Sequence, residues 1–402
     1  MAKDRPGARP QKSAVHVRLQ TFGKDSPDYR TWFRGEQTNF NPSIERLLAP
    51  GGIEEYLLKG WLPPEKPITR QTRITAFGSC FAEHISNWFT ARNFSIVNSG
   101  DEASRAYVVS MREGMVNSFV IRQQFEWAWE NKIFEEELWH GYDAESFGYD
   151  EEVRLETKRL FDQTDLFILT FGLSEVWYDE VTGNVFWRTI PKDVYDPERH
   201  RFRVSSVAEN RDNILAIYRL IRTHRPDARM LVTLSPIPLI ATFRDAGCLG
   251  ANSVSKATLR VAIDEAMREV GREGHLYYWP SYEIVSDVFH LPYKPDRRHV
   301  RQEVLDYIMR LFETKWCSDT DLTETDMIEA WVAANAASGR LPEEVLRYIP
   351  KRRAQKLGQF IRSGPLDPDP EVDAAKKELL RRMRRLWMEE RRGAGEGRTP
   401  VA

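Results

Sequence analysis

Cysteine is scarce in this chain, long apolar runs are missing, and neither sign of charge is in excess. Three cysteines, Cys80, Cys248 and Cys317, are spread over 402 residues. So sparse and odd a set excludes a disulfide framework and a cysteine-rich zinc site, and it fits a reducing compartment. Lysine and arginine total 58 against 60 aspartates and glutamates. No global field therefore draws in nucleic acid, and no acidic bias marks a solvating chain. No stretch approaches the ~18 consecutive apolar residues of a membrane span. The opening residues 1–13 are charged and proline-bearing, without the apolar centre of a secretory signal. The expectation is a cytoplasmic globular protein with no membrane span and no nucleic-acid partner. The eight histidines form no His-x-x-x-His pair and no cluster with cysteine, so neither a metal nor another cofactor is expected.

What is present is apolar and punctuated. The apolar share is 41%, with 12 tryptophans and 20 phenylalanines, enough for one large core. Residues 1–20 read as a flexible lead-in. The main domain is expected over 21–316, and a helical extension with a disordered tail over 317–402. Short apolar runs at 73–77, 165–171, 229–234 and 276–279 each stop at glycine or proline, the pattern of buried strands. Residues 94–97 suggest another. Helical periodicity separates them, at 81–92, around 214–221, at 255–273 and at 300–315. Continuous apolar strands alternating with helices predict an α/β fold, with a mostly parallel sheet covered on both faces. Ligands of such sheets sit beyond the carboxyl ends of the strands. Residues 120–160 read as an aromatic and acidic insertion whose rings either pack inside or stack on sugars.

The sharpest local signal is Phe77-Gly78-Ser79-Cys80-Phe81-Ala82. A strand stops, glycine permits a tight turn, and two nucleophilic residue types stand where a helix begins. Unpaired N–H groups and the positive end of the helix dipole favour a thiolate or a developing oxyanion there. Read bare, Ser79 is more often a helix cap and Cys80 a small packed residue. A nucleophile needs a base, and Asp296-Arg297-Arg298-His299 offers one. An aspartate three residues before a histidine can turn back and hold one ring nitrogen. Gly172-Leu173-Ser174-Glu175 follows a strand end and is a candidate source of oxyanion or substrate contacts, with Gly114 and Asn117 as further donors. No glycine-rich phosphate loop follows the first strand, which counts against nucleotide binding.

These residues resemble the GSCFA family. Gly78-Ser79-Cys80-Phe81-Ala82 matches its name motif. Thr170 to Trp177, Leu234-Ser235-Pro236-Ile237-Pro238 and Tyr278 to Glu283 resemble three further blocks. The family is similar to SGNH hydrolases, and that resemblance implies a three-layer flavodoxin-like fold. It also implies an acyl-ester hydrolase or O-acyltransferase with a small-molecule or carbohydrate ester substrate, most naturally O-acetyl groups of a polysaccharide. SGNH enzymes begin with Gly-Asp-Ser, and laying that on this chain puts Cys80 at the nucleophile position. A shift of one residue puts Ser79 there, and both stay open. Asp296 and His299 fit the Asp-x-x-His block. Ser174 stands where the superfamily has an oxyanion asparagine. A non-catalytic carbohydrate-binding or assembly protein on the same fold is the alternative. The arginine-rich segment 378–392 is a candidate for peripheral contact with anionic lipid or an acidic partner.

Overall fold

The computed structural model describes residues 20–21, 24–25, 39–49, 51–98, 104–110, 114–141 and 143–339. The lead-in, the arginine-rich segment and the C-terminal tail named from the sequence lie outside them, apart from the tip of the lead-in at residue 20. The chain runs through β1 (Ile74–Phe77), α1 (Cys80–Ala91), α2 (Ser118–Glu130), α3 (Glu151–Gln163) and β2 (Leu166–Phe171). An antiparallel arm follows, β3 (Glu175–Asp179) and β4 (His200–Val204). Then come α4 (Val207–His224), β5 (Arg229–Leu234), α5 (Cys248–Val270), β6 (Leu276–Trp279), α6 (Gln302–Trp316) and α7 (Glu324–Ala337).

Strands β1, β2, β5 and β6 form one parallel sheet in that order. Ile96 adds a single parallel bridge on the outer side of β1. Numbered by their order along the chain, these segments therefore lie side by side as 2-1-3-4-5, the flavodoxin-like arrangement, and the crossover reverses between β1 and β2. The expected strand at 94–97 is realised as that one bridge. Asn98 finishes the edge instead, because its side chain holds both the N–H and the carbonyl of Ala76.

Both faces of the sheet are dry, which is why the strands read as unbroken apolar runs. Leu166 and Ile168 face one core with α1, α6 and α7, and Phe167, Leu169 and Phe171 face the other with α2 to α5. Burial of this kind contributes roughly 25 cal/mol per Å² of apolar surface. Side-chain caps fix several helix starts. Asn117 and Asp150 accept the first N–H groups of α2 and α3, and Ser206 with Glu209 closes a capping box on α4. The aromatic stretch 120–160 is part of this fold. Its two helices are layer elements, and Trp127, Trp129 and Trp139 are buried. Those three rings belong to the core and are not available to stack on sugar.

Candidate active site

Gly78 makes the turn at the end of β1 with φ +132°, and a Cβ there would stand 2.3 Å from the Thr170 carbonyl oxygen. Only glycine tolerates both. The turn is pinned to the neighbouring strand, since the Ser79 N–H donates to Thr170 Oγ1 at 2.6 Å. Strands β1 and β2 flank the switch point, so the turn lies where the fold class places ligands.

The two nucleophile candidates separate here. Ser79 is buried, and its Oγ accepts the Phe81 N–H at 3.3 Å as the cap of α1. Cys80 is the first residue of the helix and is half-buried. The hydroxyl thus does local structural work, while the sulfur stands at the positive end of a twelve-residue helix.

Asp296 and His299 bond to each other. Nδ1 of the ring lies 2.5 Å from Asp296 Oδ2, and Oδ1 accepts the N–H groups of Arg298 and His299. The carboxylate is held far below its usual range, chiefly by the His299 ring and then by these two N–H groups. The turn needs a left-handed residue at Arg297, φ 57°. The pair is exposed. Its loop is closed by a bridge between Tyr293 and Val300, and the Tyr293 hydroxyl donates to the Pro236 carbonyl at 2.9 Å. Pro236 follows the end of β5, so the loop is tied to the same carboxyl edge of the sheet as the Ser79–Cys80 turn. No hydrogen bond joins the His299 ring to Ser79 or Cys80, and its Nε2 bonds no described residue.

The oxyanion donors expected from the sequence are largely spent. The Gly172 N–H donates to the Val116 carbonyl at 2.7 Å, and the Ser174 N–H to Ser255 Oγ at 2.8 Å. Ser174 is fully buried, and its Oγ has no described partner. Gly114 uses its carbonyl to accept the Trp187 indole N–H. Both carboxylate oxygens of Glu175 accept from Thr242. Asn117 differs. Its Oδ1 caps α2, but its Nδ2 donates to no described residue. It adjoins Val116, which holds Gly172 at the end of β2.

Sequence reasoning missed Lys256. It sits on α5, is 1% exposed, and donates all three of its protons: to the carbonyls of Gly172, Ser235 and Ile237 at 2.7, 2.8 and 2.7 Å. Burial pushes its ammonium down to about 7, and the charge of Cys80 opposes that shift. A signal existed. Lys256 precedes Leu259 and Ile263 by three and seven residues, the spacing of an apolar stripe. Two surface rings were also not singled out from the sequence. Tyr195 and Phe243 are exposed and pack around Trp177, at the arm and the loop after β5.

Fold and site together define a three-layer α/β protein with a Gly-Ser-Cys turn at the switch point of its sheet. The GSCFA family pattern matches residues 73–312, more than half of the chain. The chain belongs to the GSCFA family. No curated protein matches it.

Proposed function

We propose that the protein is an acyl-transfer enzyme, an ester hydrolase or O-acyltransferase related to SGNH hydrolases, with Cys80 as its nucleophile. One observation carries the reading. The turn bearing Cys80 and the loop bearing the bonded Asp296–His299 pair are both fastened to the carboxyl edge of the sheet, which leaves the imidazole Nε2 uncommitted. The Cys80 sulfur, its proton passed to the His299 ring, attacks the ester carbonyl and forms a thioester. The alkoxide leaves with a proton from the His299 ring. Water, or an acceptor hydroxyl, then loses a proton to His299 and releases the acyl group from sulfur, restoring the thiolate and the protonated ring. Asp296 keeps the ring in the tautomer that presents Nε2. Asn117 Nδ2 is the donor best suited to the oxyanion, since its amide protons are unused while its Oδ1 is fixed as the cap of α2. The exposed rings Tyr195 and Phe243 supply the platform for a carbohydrate ester.

Purified protein assayed on an aryl acetate and on acetylated sugars tests this. Cys80→Ala and His299→Ala each lose on the order of 10³-fold or more in rate, and an active-site acyl probe labels Cys80. Full activity in His299→Ala rejects the scheme.

A further inference from the structure

A buried ammonium needs a counter-charge, and the surroundings of Lys256 provide little choice. Its three acceptors are neutral carbonyls, and no described carboxylate lies within ion-pairing distance of Nζ. The hydroxyl-bearing neighbours, Ser174, Ser235 and Ser255, carry no charge. Cys80 is the ionisable group among the described residues whose charge acts on it. The backbone independently places both at the carboxyl ends of the paired strands β1 and β2. Thr170 holds the N–H of Ser79, next to Cys80, and Gly172, two residues further on, accepts from Lys256 Nζ. All three carbonyl bonds require the fully protonated amine, because a neutral amine has only two hydrogens and would turn a lone pair on the third oxygen. Geometry thus favours the charged state that burial alone opposes.

We propose that Lys256 is a positioning residue for acyl transfer, a buried cation that keeps the Cys80 sulfur as a thiolate at rest. The inference rests on the acyl-transfer reading for its catalytic meaning, but the ion pair can be measured without any substrate. It also accounts for an exposed imidazole that makes no hydrogen bond to the sulfur. With the thiolate formed in advance, the sulfur–carbon bond needs no prior proton transfer. His299 is then required only to protonate the leaving alkoxide and to deprotonate the incoming water.

Alkylation of the full-length protein by iodoacetamide decides it, read at Cys80 by peptide mass spectrometry from pH 5 to 9, with Cys248 as an internal reference. Wild-type Cys80 is expected to titrate at least one pH unit below the ordinary thiol value of about 8.5. Lys256→Met raises that midpoint by a unit or more, and Lys256→Arg restores part of the difference. Should Lys256→Met fail to fold, Lys256→Gln separates the lysine from the helix terminus: an unchanged low midpoint in it overturns the proposal. An ordinary wild-type midpoint overturns the ion pair, even if an acyl-enzyme forms on Cys80. A low midpoint with no esterase or transferase activity leaves the ion pair standing and rejects the function.

Discussion

Gly78, Ser79 and Cys80 are adjacent yet carry three separable jobs, so single substitutions should pull them apart. Gly78→Ala forces a side chain onto Thr170 at a positive φ. It is expected to cost on the order of 2–3 kcal/mol, read as a lowered urea midpoint. Ser79→Ala removes the cap on α1 and costs about 1 kcal/mol, while Cys80 alkylation and turnover persist. The reverse result, loss of turnover with alkylation intact, would return the nucleophile to Ser79. Asp296→Asn breaks the bond that orients the His299 ring and lowers the rate on the order of 10²–10⁴-fold. The sign of its pH effect follows from the lowered carboxyl. The charge is already in place above the ordinary carboxylate range and is lost only when pH falls through the depressed value. Acidification from pH 7 to 4 therefore leaves Asp296 ionised. The substitution should lower the pH–rate profile as a whole and create no new acid limb.

Among the elements, α1 and α6 are joined by one buried carboxylate. Glu313 is 0% exposed. It accepts the Trp88 indole N–H at 2.8 Å and the Thr320 hydroxyl at 2.7 Å. Arg92 Nε lies 2.6 Å away as a charge contact without hydrogen-bond alignment. Glu313→Ala strands a buried N–H and a mostly covered guanidinium, at an expected cost of roughly 3 kcal/mol by chemical denaturation. At this scale the sequence was most readable. The strands β1, β2, β5 and β6 announced themselves because each is buried on both faces. Helices α1, α5 and α6 did so because each turns one stripe inward. Residues 120–160 were less readable, since aromatic residues at core density look the same whether they face a sugar or one another. Tyr107 stacks on Trp127 at 5.6 Å, a contact across twenty positions that no local pattern reveals. Lys256 was hidden for a related reason. A lysine reads as surface unless its neighbours in space are known, and its partners lie 19 to 84 positions away. The glycine turn and the Asp-x-x-His pair were legible because both are local motifs. The spent N–H groups of Gly172 and Ser174 were not, because Val116 and Ser255 come from other elements.

For the molecule as a whole, the family pattern ends at residue 312, inside α6, but the fold does not. The sequence suggested that a separate extension begins at 317. Cys317 is instead fully buried and bridges to Ile68, drawing the segment before β1 against the end of α6. Helix α7 then lays Trp331 against Tyr307 and Phe289, with ring centroids 5.0 and 5.7 Å apart, and buries Ala330 and Ala334 in the same core as α1. Its start is fixed by a capping box between Thr323 and Asp326. The main domain therefore includes residues 317–337 as the outermost layer on that face of the sheet. Two truncations separate this account from an appended helix. A chain ending at residue 339 keeps every contact named here and should match the full-length urea midpoint and Cys80 alkylation curve. A chain ending at residue 316 uncovers Tyr307 and Phe289 and loses the Cys317 bridge. It is expected to lose about 3–5 kcal/mol, the scale for removing a packed aromatic residue with its neighbours. Equal midpoints for the two chains would make α7 an independent appendage after all.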